Sequence, residues 1–166
     1  MPTLYILGGL PGTGKSTIAR ALSQRIGAVW LRIDSVEQEL INRGTPRDEV
    51  GGRGYEIAYA IAQDNLRNGL HVIADSVNPI EITRHAWREV ARAANVPFIE
   101  VEIVCENLAE HRRRVTERAS DIAGLIQPTW AEVENREYET WHEARLRIDT
   151  ALLSPSEAVE QILKHA

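Results

Sequence analysis

The chain has 166 residues with 24 acidic and 19 basic side chains, a net charge of −5. That length suits a single domain with a core of its own, and 43% hydrophobic with 26% charged residues argues against a disordered chain and against a membrane-spanning one. The acidic balance argues against a general nucleic-acid coat, and one cysteine, Cys105, excludes an internal disulfide or a multi-cysteine metal site.

In chain order, short aliphatic or β-branched runs predict strands at 3–7, 29–33, 71–74, 98–104 and 146–148. Amphipathic stretches predict helices at 15–26, 35–42, 55–68, 79–94, 107–119, 129–141 and 154–164. Ile18, Ala19, Leu22 and Ile26 share one helical face, as do Ile57, Ala58, Ile61, Ala62 and Leu66. Gly27 and Gly69 end two of these patterns, and Pro79 and Pro155 stand at or near the first turns of two others. Strands separated by helices require crossover connections, hence a parallel sheet covered on both faces in an α/β fold. No repeat or linker divides residues 1–166, which are expected to form one domain. The segments 44–54 and 120–128 lack a core face and are candidate moving parts. The N-terminus has no basic stretch, and its apolar run at 4–7 is too short for a signal peptide, so the expected location is the cytoplasm.

Gly9-Leu10-Pro11-Gly12-Thr13-Gly14-Lys15-Ser16 matches the phosphate-loop pattern G-x-x-x-x-G-K-[ST], with a strand before it and a helix after it. Glycines allow successive N–H groups to converge on a phosphate, and the start of the helix adds its partial positive charge. Lys15 is placed to reach the β and γ phosphates, and the Ser16 hydroxyl to bind Mg²⁺. Gly9, Pro11, Gly12, Thr13, Gly14, Lys15, Ser16 and Thr17 are therefore the expected nucleotide contacts.

Ligands of open α/β sheets bind outside the carboxyl ends of the strands, where Asp34 and Asp75 fall. Asp75 ends an apolar run and is a candidate organiser of Mg²⁺ with Ser16. Asp34 can serve as general base for an acceptor hydroxyl, although Asp34-Ser35-Val36-Glu37 also fits a helix N-cap. His111 and Arg112 to Arg118 contain the basic cluster, with Arg114 and Arg118 on one helical face. Its arginines can close on a phosphate chain or simply pair with Glu110 and Glu117; His111 reads as a neighbour rather than a catalyst. Asn78 and Arg84 follow Asp75 and are candidates for an acceptor pocket, while Ser76 and Asn78 also suit a turn. The four tryptophans and Cys105 read as core. Ser76, where a water-activating glutamate would follow Asp75, argues against an AAA+ motor.

Gly9 to Ser16, the two strand-end acids and the arginine helix together resemble a small P-loop kinase, near polynucleotide 5′-kinase, chloramphenicol phosphotransferase and zeta-toxin kinases. Gluconate kinase and adenylylsulfate kinase are similar at a greater distance. Gly54-Tyr55, Asn78-Pro79, Thr83-Arg84 and Pro128-Thr129-Trp130 are similar to a bacterial group of predicted kinases with an AAA-type ATP-binding domain. The resemblance covers nearly the whole chain. It implies a three-layer sandwich around a five-stranded parallel sheet of order 2-3-1-4-5, with a short helical lid at about 107–130. It also implies ATP and Mg²⁺ as cofactors, Lys15 at the phosphates, Asp34 as base, and Arg112, Arg114 and Arg118 in the lid. The function that follows is transfer of the γ-phosphoryl group to a hydroxyl of a small molecule, by a monomer or homodimer. Alternatives are a polynucleotide or nucleotide 5′-kinase and a non-catalytic nucleotide-binding regulator. The acidic charge disfavours an extended nucleic acid.

Overall fold

In the computed structural model, which describes residues 1–166, five strands form one parallel sheet of order β2-β3-β1-β4-β5. They are β1 (Leu4–Gly8), β2 (Val29–Arg32), β3 (Val72–Asp75), β4 (Phe98–Val104) and β5 (Leu146–Asp149). The connecting helices are α1 (Lys15–Ile26), α2 (Ile33–Asn42), α3 (Arg53–Arg67), α4 (Glu81–Ala94), α5 (Leu108–Glu117), α6 (Trp130–Glu134) and α7 (Pro155–Lys164). Fold class and strand order agree with the expectation. No helix is long and apolar enough to cross a membrane.

β1 is central and buried throughout, because its side chains meet helices on both faces. On one face Tyr5 and Leu7 pack with Ile18, Leu22, Val159 and Ile162 of α1 and α7. On the other, Leu4 and Ile6 pack with Ala58, Ala62, Trp87 and Ala91 of α3 and α4. Local signals end the helices where expected: Gly27 caps α1 in the left-handed region, and Ser154 and Glu157 form a capping box with Pro155 at the first position of α7.

Several helix boundaries differ from the sequence reading, most by a residue or two, and three of the differences bear on the cleft. The predicted helix 129–141 is only α6, opened by a Thr129–Glu132 capping box and ended at Asn135. Beyond it the chain turns inward, so that Trp141 is buried and Glu139 donates its N–H to the Pro79 carbonyl at 2.7 Å. α4 begins at Glu81 rather than at Pro79, because the Pro79 carbonyl is occupied by that return strand of chain. α2 begins directly at Ile33, which places Asp34 in its first turn and not at its cap.

Arg84 holds this crossing together. It is 0% exposed and donates to the carbonyls of Asn78 (3.0 Å), Pro79 (3.1 Å), Glu139 (2.6 Å) and Thr140 (3.2 Å). Its guanidinium lies 4.3 Å from the Trp141 ring centroid and 5.5 Å from that of Tyr138. These carbonyls take the place of a counterion. Removing the donor strands buried acceptors, each costing about 1–3 kcal/mol. Arg84→Ala is therefore expected to lower unfolding stability by about 3 kcal/mol or more, read from the urea midpoint.

Candidate active site

The phosphate loop is held by contacts that leave the amides of residues 14–17 free, while Gly9 and Thr13 donate theirs to the Val77 and Leu10 carbonyls at 3.0 and 3.4 Å. Within it, the Thr13 hydroxyl and the Lys15 ammonium donate to the Leu10 carbonyl at 2.8 and 3.1 Å. From outside, the Thr150 hydroxyl donates to the Thr13 carbonyl at 2.7 Å, and His111 Nε2 lies 2.8 Å from the Pro11 carbonyl. His111 is in turn fixed edge-on against Trp130, with centroids 5.1 Å apart. Gly12 has φ +82°, and a Cβ there would come within 2.5 Å of Val115 Cγ2, so α5 packs directly against the loop. Among residues 14–17 no backbone N–H has an acceptor in the chain; the first to bond is Ile18, to the Gly14 carbonyl. Four unpaired donors at the positive end of α1 form an anion cradle.

Beneath the cradle, Asp75 ends β3 buried at 3% exposure and accepts a hydrogen bond from Trp30 Nε1 at 3.1 Å. Burial raises its pKa, opposed by the nearby Lys15 charge and by hydrogen bonds from Ser16 and Trp30. Burial lowers the Lys15 pKa, opposed by Asp75 and Asp34. The net direction is upward for Asp75 and downward for Lys15, and each charge opposes the neutralisation of the other. The side chains fit a hydrated divalent cation, since a hydroxyl and a buried carboxylate meet beside the anion cradle. No cluster of three or more His, Cys, Asp or Glu side chains is arranged to hold a metal alone.

A cleft of about 710 Å³ opens over these groups and is also lined by Asp34, Glu37, Ser76, Arg118 and Arg136. The structure thus brings Lys15, Ser16, Asp34 and Asp75 together. Arg118 joins them from the end of α5, its Nε buried without a partner, and burial lowers its pKa. Arg114 lines the cleft too, but its guanidinium bonds Glu110 at 2.7 Å and Thr150 at 2.9 and 3.1 Å, so it braces the loop. Arg112 is not brought to the cleft. It is exposed along a separate depression beside Trp130 and Leu108, because two residues of helix rotate it away from Arg114. Asn78 and Arg84 are likewise absent from the cleft wall; both are 0% exposed, and the Arg84 donors are spent on the crossing already described.

Several charged cleft residues escaped the sequence reading, Arg20, Arg32, Arg47, Asp121 and Glu132 among them, and two others, Glu37 and Arg136, interact with each other. Glu37 lies one turn after Asp34 on α2, a spacing that would have flagged it once the helix start was known. Burial, followed by the Asp34 charge, raises its pKa to about 7, with Arg136 opposing. Arg136 follows α6 and carries no local signal, since the chain there was expected to continue as helix.

The family model described as "AAA domain" matches residues 4–124, the segment from β1 through the cleft wall beyond α5. The chain belongs to this family. Among curated proteins, an uncharacterised protein of Mycobacterium tuberculosis is 27% identical over 89% of this chain, which spans about a third (32%) of that relative. Among solved structures, a protein of Chloroflexus aurantiacus superposes with TM-score 0.76 at 19% identity, covering 99% of this chain and 98% of that one. The APS kinase of M. tuberculosis, in complex with AMPPNP and APS, gives TM-score 0.71 at 18% identity over 98% of this chain and 96% of that one. The family member thus has a kinase-like P-loop fold.

Because burial and the Asp34 charge push Glu37 up to about 7, above the ordinary 4.5 of a glutamate, the native state binds the extra proton between about 4.5 and 7. Stability contributed by that proton is lost as pH rises through this window. Glu37→Gln is expected to raise the melting temperature relative to wild type at pH 8, and the difference should vanish near pH 4; an equal shift at both pH values would remove Glu37 as the cause.

Proposed function

We propose that the chain is a Mg²⁺-dependent kinase that moves the γ-phosphoryl group of ATP to a hydroxyl of a small molecule. The observation that carries this is the convergence in one cleft of a free-amide cradle, Lys15 and the acids Asp34 and Asp75. The fold shared with an APS kinase that binds AMPPNP and APS supports the same reading.

In this reading the free amides of residues 14–17 take the phosphates and Lys15 reaches the β and γ groups, while Gly9 and Thr13, whose N–H groups are bonded to the Val77 and Leu10 carbonyls, shape the loop instead of contacting the nucleotide. Ser16 and Asp75 hold the cation, which when bound offsets charge on the phosphate oxygens. Asp34 stands in the first turn of α2, where the helix dipole favours a carboxylate, and accepts the acceptor's proton. The acceptor oxygen forms its bond to the γ phosphorus as the bond to the β–γ bridging oxygen breaks, and ADP departs with that electron pair. Arg118 meets charge on the transferred group, and residues 107–130 act as the lid that carries it. Arg114 contributes by fixing the Thr150 clamp on the loop.

Lys15→Ala is expected to abolish transfer. Asp34→Asn should lower kcat by about 10²-fold or more while the Kd for ATP stays within about threefold. The check is coupled ADP release alongside binding of a fluorescent ATP analogue, and full transfer in Asp34→Asn would take the base role away from that residue.

A further inference from the structure

β2 is an edge strand of the sheet, and its end carries Arg32 two residues before Asp34. Neighbouring strands lie about 4.8 Å apart, so this end stands roughly 10 Å from β1, whose loop faces the phosphates. Arg32 bonds Asp121 through Nη1 alone, at 2.8 and 2.9 Å to the two carboxylate oxygens. Its Nε is buried without an acceptor. The Nε–Nη2 edge is therefore unspent, and that edge matches a carboxylate, sulfate or phosphate with two parallel hydrogen bonds. Arg118 comes three residues before Asp121, lines the same cleft, and also has a buried Nε without an acceptor. The Arg32 charge works against that of Arg118, while Asp34 favours it. Two like charges with unspent buried donors are a cost until an anion lies between them.

The acids of the cleft do not fill this need. Asp75 faces Lys15, and Glu132 is spent on the N–H and hydroxyl of Thr129. Of the arginines lining the cleft, only Arg32 and Arg114 are ion-paired. That leaves Arg20, Arg47, Arg118 and Arg136 against the unpaired acids Asp34 and Glu37. The cleft has cations to spare.

We infer that Arg32 and Arg118 form an anion subsite for the phosphoryl acceptor, which Asp121 occupies until a substrate bearing its own carboxylate, sulfate or phosphate displaces it. This rests on the kinase reading above. The nucleotide phosphates already meet the amides of residues 14–17 and Lys15 at the end of β1. Arg32 instead shares its strand end with Asp34, the residue assigned to the acceptor hydroxyl. Asp121 suits a stand-in, because its side chain is 69% exposed against 16% for Arg32. An ion pair open to water on one side is weak and exchanges readily. Asp121 belongs to the segment 120–128, which meets α2 where Gly124 lies against Gln38 and Asn42. Exchange at Arg32 trades one anion for another and unties that segment from β2. A guanidinium has five donors, so Arg118 serves this anion through Nε and keeps its terminal nitrogens for the transferred group. A neutral acceptor leaves both Nε groups unpartnered.

The test separates this anion from those of the nucleotide. The protein is first saturated with AMPPNP and Mg²⁺, and inorganic sulfate is then titrated in by calorimetry. One further sulfate is expected to bind. Arg32→Met should weaken it about tenfold or more, because charge-assisted bonds are lost. Asp121→Asn should tighten it about threefold or more by removing the occupant. Opposite effects from the two partners of one ion pair are not what loss of a structural brace produces. No sulfate bound beside AMPPNP, or equal affinity in all three proteins, overturns the inference. Coupled ADP release then compares matched acceptors: gluconate with glucose, glycerol 3-phosphate with glycerol, and N-acetylglucosamine 6-sulfate with N-acetylglucosamine. An anionic member is expected to exceed its neutral partner about tenfold or more in kcat/KM, and Arg32→Met should remove that preference by raising KM. Turnover confined to neutral members or absent from every pair overturns the assignment to the acceptor, as does a preference that Arg32→Met leaves unchanged. Failure to bind AMPPNP removes the kinase reading itself, and sulfate titration without nucleotide then decides the Arg32 site alone.

Discussion

A loop that must offer its backbone N–H groups to an anion cannot use those groups to hold its own shape. The rest of this structure answers that constraint. The amides of residues 14–17 stay unpaired, so the loop is fixed through its carbonyls and its glycine surfaces. His111 and Thr150 grip the Pro11 and Thr13 carbonyls, and Val115 closes on Gly12. His111 is held by Trp130, and Thr150 is held by Arg114, so α5, α6 and the end of β5 all bear on a few residues of loop. The contact of buried His111 with half-buried Trp130 thereby bears on the geometry of the cradle.

Burial has the opposite consequence a few ångströms away. Asp75 and Lys15 are both removed from water, and each is opposed in its tendency to neutralise by the other's charge. Trp30 adds a directed hydrogen bond, which fixes the carboxylate without adding charge. Burial raises Glu37 as well, to about 7, with the Asp34 charge adding to the rise and Arg136 opposing it. One cleft therefore contains two carboxylates raised by burial, one opposed by a lysine and the other by an arginine.

The phosphate loop, the α/β class and the positions of Asp34 and Asp75 were legible because each depends on a few consecutive residues. Glycines at fixed spacing, an apolar run and the acid that ends it carry their meaning locally. The 2-3-1-4-5 order came from resemblance, and the strand pairings agree with it. Charge type misled at Arg84 and Arg112. An arginine after a strand-end acid suggests an anion site, yet four backbone carbonyls and two aromatic rings enclose Arg84. Arg112 belongs to the right helix but to its outer face.

By itself, the sequence determined that this chain builds a phosphate cradle at the head of a helix in a parallel α/β fold, because backbone freedom, helix polarity and strand periodicity are local properties. Only the tertiary structure decided which charges share the cleft. Glu37 and Arg136 enter it, and Arg84 leaves it, through the early start of α2 and the inward turn after Asn135. Those turns are set by what packs against them, Gly54 beneath Glu37 and Trp141 against Arg84, and no short stretch of residues contains both sides of either contact.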